Sequence, residues 1–346
     1  MNLPATMRAL QLQQAGCLVE VTVPVPSPKP DEVLIRTGAA TICTSDLNDV
    51  RHNPFGIVLP RILGHEGAGV VAGIGERVAG FELGDHIAGH PVIPCNSCPN
   101  CQRGLGHLCA RMGHLGLDRD GTFAEYYCLR ADRARRVSPK MDLAVAALLE
   151  PVSVCIEALV RAGLHPGDSL LVVGDGPFGI IITRLALNYG LKRIILVGHH
   201  SFRLGQVPNI TALNQRLTAD IAETVWSASQ GDGVDAAILA VGNQAGLDLC
   251  LASVRARGRV VVFSAIQGQA SVDLFRVHVK ELSILGACND ENHIDTALRL
   301  LSEPGLGLAT LITHRIPLTD WPRAFELAEK GKENALKVAL LFGETP

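Results

Sequence analysis

Ser169-Leu170-Leu171-Val172-Val173-Gly174-Asp175-Gly176-Pro177-Phe178-Gly179 decides the fold. Ser169 to Val173 reads as a short buried strand, and an apolar stretch of helical spacing follows from Phe178 to Asn188, ending near Gly190. Between them stands G-x-G-x-x-G, the turn whose first glycine makes the tight bend. Its second lets a pyrophosphate approach the backbone, and its third lets helix pack on strand. The motif is weak alone and gains meaning from this strand-turn-helix context. Gly174, Gly176, Pro177, Phe178 and Gly179 are therefore expected to bind a dinucleotide at the helix N-terminus. A ligand-free glycine-rich turn is the competing reading.

Outward from this turn, apolar runs recur at Arg193 to Val197, Val234 to Ala240, Arg259 to Ser264 and Leu282 to Leu285. Strands alternating with helices predict right-handed crossovers and a doubly wound parallel sheet. Residues before Glu150-Pro151 have another texture: short alternating runs (Met7 to Leu12, Leu18 to Val23, Glu32 to Thr37, Gly69 to Ala72) separated by Gly and Pro, which predict a β-rich unit. Pro24, Pro26, Pro28 and Pro30 mark an extended surface connector. The tail predicts helices at His293 to Leu301 and Asp320 to Glu329, then a closing strand at Lys337 to Phe342. The fold class expected is α/β, with a β-rich domain beside a doubly wound parallel-sheet domain.

At 346 residues the chain suits about two domains. A net charge of −3 without like-charge runs argues against nucleic acid as a partner. The most apolar stretch, taken as Leu170 to Leu187, is broken by Asp175 and Arg184, so no membrane span is expected. The N-terminus shows no secretory signal, which predicts a cytoplasmic protein whose ten cysteines stay reduced.

The second strand of a NAD site normally ends in an acid that accepts from the ribose 2′-hydroxyl. Here it ends in Gly198-His199-His200-Ser201-Phe202-Arg203, with no carboxylate. Glycine makes room there, and His199, His200, Ser201 and Arg203 offer donors to a 2′-phosphate, so NADP is expected over NAD.

Four cysteines cluster as Cys95-x2-Cys98-x2-Cys101-x7-Cys109. That spacing suits a closed, all-thiolate structural zinc site that folds a loop with little core of its own; an iron–sulfur cluster is the alternative. A dispersed set, Cys43, His65, Glu66 and Glu150, offers one thiolate, one imidazole and one or two carboxylates, which suits a second zinc with an open position. Spacing alone leaves open whether these residues meet.

Gly64-His65-Glu66-Gly67-Ala68-Gly69, the four-cysteine segment, Gly121-Thr122-Phe123-Ala124-Glu125-Tyr126 and the Gly174 to Gly179 turn occur in an order that resembles the zinc-dependent medium-chain dehydrogenases/reductases. Glu150-Pro151-Val152-Ser153-Val154 resembles their polyol (sorbitol) branch. The resemblance implies a GroES-like catalytic domain from residues 1–152 and 288–346, with a structural zinc lobe at about 94–110, and a Rossmann domain at 153–287. It implies two zinc ions per chain: Cys43 and His65 with Glu66 or Glu150 for the catalytic one, and Cys95, Cys98, Cys101 and Cys109 for the structural one. It further implies that Ser45 relays the alcohol proton, that His90, His114 and Leu115 wall the pocket, and that the chain forms a homodimer or homotetramer. The reaction implied is hydride transfer between NADP(H) and a secondary alcohol or ketone, a polyol, sugar or sugar derivative. Two departures stand out. Asn48 replaces the histidine often found in the relay, leaving water or His52, and Gly286-Ala287-Cys288-Asn289-Asp290 lacks the arginine of sorbitol dehydrogenases. Alternatives are a zinc-free NADPH reductase of activated double bonds and a non-catalytic protein that keeps only the zinc lobe.

Overall fold

The computed structural model describes residues 3–266, 268–290 and 292–343. It divides into two compact units, Val154–Asp290 and the residues on either side of that segment. The boundaries lie within three residues of 152/153 and 287/288.

Val154–Asp290 holds a six-stranded sheet in the order Thr211–Asn214, Arg193–Gly198, Ser169–Val173, Val234–Leu239, Val254–Val262, Ser283–Gly286, every neighbouring pair parallel. This is chain order 3-2-1-4-5-6, the doubly wound Rossmann arrangement. Ser169–Val173 and Val234–Leu239 are buried along their whole length, as strands covered on both faces must be. Leu171, Val173, Ile195, Val197, Leu239 and Leu247 form the core. The edge strand Thr211–Asn214 was not expected: its half-exposed Thr-Ala-Leu-Asn carries no apolar run.

The other unit is built on a seven-stranded sheet. Its long strand Glu32–Thr41 pairs antiparallel with Glu66–Ile74 on one side and with Lys337–Leu341 and Tyr126–Arg130 on the other. Thr41 faces Glu66 in one register and Ala339 in the other. The end of this strand therefore gathers residues from both ends of the chain. Leu10, Leu12, Phe123, Phe325 and Leu340 pack on one side of the unit, and Val33, Ile35, Ile87, Tyr127 and Leu129 form a second core.

The helix Leu149–Ala162 carries Glu150 and Pro151 in its first turn, where proline's missing N–H leaves no intrahelical bond unmade. One expectation is corrected. Among the described residues, the apolar helix long enough to span a bilayer by length and composition is Leu143–Ala162, with mean hydropathy 2.0, and not residues 170–187. It is 89% buried, and it carries the buried Glu150 and Glu157, which marks a core helix.

Candidate active site

Cys43 ends the loop after Glu32–Thr41 and caps the helix Thr44–His52. Asp46, at the third helical position, accepts the Cys43 N–H at 2.8 Å, the return half of a capping box. Its other oxygen lies 3.2 Å from His65 Nδ1. One buried carboxylate thus fixes the thiol-bearing backbone and the imidazole together. With Nδ1 committed to Asp46, Nε2 is the nitrogen that could ligate a metal ion, as in the carboxylate–histidine–metal pattern.

The donor atoms of Cys43, His65 and Glu66 all lie within 4.8 Å of one another. Sulfur, nitrogen and oxygen from three residues match a zinc site with an open position. Burial opposes a charge on His65, but Asp46 and Cys43 overcome it and hold the imidazole well above its ordinary value.

Behind this set is a residue that sequence reading missed. Lys337, 2% exposed, donates to Glu66 Oε1 at 2.6 Å and lies 2.5 Å from Oε2. Thr41 Oγ1 also donates to Oε2. Burial disfavours the ammonium, yet Glu66, Cys43 and Glu150 hold its pKa above the ordinary lysine value. Glu150 belongs to this charge neighbourhood and lies outside the Cys43–His65–Glu66 set. Ser45 Oγ is 3.4 Å from His65 Nε2. The His114 ring stands 5.7 Å from that of His65, and His90 is fully buried, its Nδ1 2.8 Å from Arg133.

Cys95, Cys98, Cys101 and Cys109 also lie within 4.8 Å of one another. Three of their Sγ–Sγ separations are 3.5, 3.7 and 4.0 Å. A tetrahedron with Zn–S bonds of about 2.3 Å has edges of about 3.8 Å, so the four thiols fit one zinc ion. The Cys95 and Arg111 N–H groups each donate to Cys109 Sγ at 3.3 Å. The hydroxyl and N–H of Ser97 bring the Cys95 thiol down to about 5, while burial and neighbouring thiols push Cys101 up to about 11.

In the Rossmann unit, Gly176 caps the helix Pro177–Ala186. A Cβ on Gly179 would lie 1.8 Å from the Gly174 carbonyl oxygen, whereas one on Gly176 would meet nothing within 4 Å. The third glycine is therefore demanded by packing, and the second leaves open space at the helix N-terminus. That cradle fits a pyrophosphate. The end of Arg193–Gly198 departs from the sequence reading. A carboxylate is present there, supplied by Asp175 from the glycine turn: its Oδ2 accepts the His199 and His200 N–H groups at 2.8 and 2.6 Å. A Cβ on Gly198 would lie 2.3 Å from Asp175 Cβ, so this glycine makes room for Asp175. Ser201 Oγ accepts from Asn214 Nδ2 at 2.9 Å.

The family model for the alcohol dehydrogenase GroES-like domain matches residues 29–139, and that for zinc-binding dehydrogenases matches 177–303. A sorbitol dehydrogenase of Bacillus subtilis (strain 168) is 31% identical over 345 residues, 97% of this chain and 98% of that protein. An L-threonine 3-dehydrogenase of Pyrococcus abyssi is 32% identical over 323 residues, 90% of this chain and 92% of the other. A solved structure from Sinorhizobium meliloti 1021, assigned to the zinc-binding dehydrogenases and bound to NADP, superposes with a TM-score of 0.91 at 26% identity, covering 98% of this chain and 100% of that one. With its GroES-like and Rossmann units and a mixed sulfur–nitrogen–oxygen donor set, the chain belongs to the zinc-dependent medium-chain alcohol dehydrogenases and is an alcohol oxidoreductase of the polyol dehydrogenase-like type.

Proposed function

We propose that the chain interconverts a secondary alcohol and its ketone, on a polyol, sugar or sugar derivative, with NADP(H) as coenzyme and two zinc ions per chain. The observation that carries this reading is the convergence of Cys43, His65 and Glu66, with the Ser45 hydroxyl beside His65. Zinc at such a site supplies Lewis acidity toward an alcohol oxygen, and the nicotinamide accepts the hydride. Cys43, His65 and Glu66 are the residues assigned to hold the catalytic ion, with Glu150 near enough to share the Lys337 charge. Asp46 fixes the imidazole. Lys337 neutralises Glu66 and keeps its carboxylate in place. Ser45 is assigned to take the alcohol proton. Asn48 has no titrating group, so the proton continues to water or His52. Cys95, Cys98, Cys101 and Cys109 are assigned the structural ion.

The substrate class is supported by the similar proteins, named for sorbitol and L-threonine; both compounds carry a secondary alcohol beside other polar groups. For the coenzyme, support comes from the NADP-bound relative and from the Ser201 hydroxyl and the Arg203 guanidinium, donors that follow the second strand in the sequence. Leu274, Phe275 and Val279, exposed by 72%, 74% and 56%, suit burial against a second copy and support a homodimer or homotetramer. Thiol ligands suit a reducing compartment, the cytoplasm.

The test is a steady-state screen of sugar alcohols, sugars and their phosphates with each coenzyme, run beside Cys43→Ser and Ser45→Ala. Turnover of a polyol that Cys43→Ser abolishes, and that Ser45→Ala lowers by a factor on the order of 100 or more, supports the reading. Full activity in Cys43→Ser overturns it.

A further inference from the structure

His114 lies on the short strand Gly113–His114, which pairs with Val92–Ile93. Its ring is in contact with that of His65, the centroids 5.7 Å apart and the planes tilted by 56°. Its Nδ1 stands 2.7 Å from the Leu115 carbonyl oxygen. A carbonyl oxygen only accepts, so Nδ1 carries the hydrogen, and in the neutral ring Nε2 keeps a lone pair and no hydrogen. The backbone on either side is tied down as well. The His114 N–H donates to Asp118, and the His114 carbonyl accepts the Leu117 and Asp118 N–H groups at 3.2 and 3.3 Å. The ring is thus oriented by the chain itself. Among the described residues nothing bonds Nε2, and the residue is only partly buried.

We propose that His114 is a specificity-determining residue: its Nε2 lone pair accepts a hydrogen bond from a hydroxyl on the carbon next to the reacting carbinol, so the site selects vicinal diols over simple secondary alcohols. The proposal rests on the alcohol–ketone reading above and names the substrate group that is read. With the reacting oxygen at the Cys43–His65–Glu66 set, a ring in contact with His65 lies beside the next carbon of the substrate. A fixed lone pair there discriminates by the direction of the hydrogen bond. A hydroxyl turns its hydrogen toward Nε2. An ether, carboxylate or phosphate oxygen brings a second lone pair against the first. A methyl group strips water from Nε2 and returns nothing, and an acceptor left unpaired costs its full desolvation. A site built to bond a hydroxyl therefore rejects the analogue that lacks one.

The experiment measures kcat/KM for propane-1,2-diol, 1-methoxypropan-2-ol and propan-2-ol with the preferred coenzyme, for wild type, His114→Leu and His114→Gln of equal zinc content. The quantity read is the ratio of each substituted alcohol to propan-2-ol. His114→Leu is expected to lower the diol ratio by about tenfold, with propan-2-ol itself changed by less than about threefold and the methoxy ratio not lowered. His114→Gln keeps an acceptor oxygen and is expected to recover part of the diol ratio. A residue that only shaped the pocket would move all three alcohols alike. A diol ratio unchanged or raised in His114→Leu overturns the proposal. A second reading is independent of turnover: nitrogen NMR of histidine-labelled wild type, with His114 assigned by its loss in His114→Gln. Nε2 without a hydrogen, displaced by the diol and not by propan-2-ol, is the expected result; Nε2 carrying a hydrogen overturns the proposal, and this reading decides it if His114→Leu does not fold. A wild type that oxidises neither these alcohols nor any polyol refutes the alcohol–ketone reading, and the NMR result still decides the role of Nε2.

Discussion

Replacing Lys337 by methionine removes the ammonium that lies on both oxygens of Glu66, at 2.6 and 2.5 Å, in a place where the two side chains are 2% and 0% exposed. Methionine keeps the apolar stem and loses only the charge. Removing one partner of a buried ion pair costs about 3–5 kcal/mol, because the other charge stays buried without compensation. Thr41 still donates to Glu66, and a metal ion at Cys43 and His65 supplies positive charge, so the zinc-loaded protein belongs at the low end, about 3 kcal/mol, and chelator-treated protein at about 5 kcal/mol. For a unit of this size these losses lower the unfolding midpoint by on the order of 10 °C. Differential scanning calorimetry of both forms measures them. Adding Glu66→Gln to Lys337→Met removes both charges and is expected to restore part of the stability of the stripped protein. The sign with pH is set by the raised pKa of Lys337: its contribution is complete below the ordinary lysine value and is lost only as pH rises through the higher folded one. The deficit is therefore constant between about pH 6 and pH 9. A loss below about 1 kcal/mol in stripped protein, with no recovery in the double variant, refutes the reasoning.

Two further outcomes follow from the same geometry. Gly179→Ala places a Cβ 1.8 Å from the Gly174 carbonyl oxygen and is expected to lower the stability of the Rossmann unit. Gly176→Ala enters open space, leaves the melting temperature within a few degrees and weakens coenzyme binding; equal effects in both assays contradict the assignment. Burial first, and the charge of His65 second, push His114 down to about 3. The folded protein then leaves His114 neutral while the unfolded chain protonates it, so stability falls by at most about 1.4 kcal/mol per unit as pH drops from about 6.5 toward 3. His114→Gln flattens that slope in denaturant titrations; an unchanged slope refutes it.

What the sequence disclosed follows from how local each signal is. The Gly174–Gly179 turn is legible because a buried strand precedes it and a helix follows it within one short stretch. The cysteine lobe is legible because its four thiols are close along the chain. The Cys43–His65–Glu66 set is not, since its meeting depends on Glu32–Thr41 being flanked by Glu66–Ile74 and Lys337–Leu341. Spacing says nothing of that, and the resemblance to a family supplied it. Lys337 stayed hidden because Glu66 is 271 positions away, although a lone lysine ahead of Val338-Ala339-Leu340-Leu341 signals a buried charge in need of a partner. Asp46 was within reach, as the third residue after a helix cap. Asp175 is not legible because the motif treats its position as variable and the acid of a NAD site is expected on the second strand. The carboxylate thought absent there arrives from the neighbouring turn.

The most direct measurement of the central claim is zinc content per chain, by inductively coupled plasma mass spectrometry, of wild type, Cys43→Ser and Cys98→Ser after dialysis against a weak chelator. The account predicts about two ions in the wild type and about one in each variant, with polyol turnover lost in Cys43→Ser while its fold, read by circular dichroism, is kept. A wild type holding one ion or none, or a Cys43→Ser protein that still holds two, contradicts it.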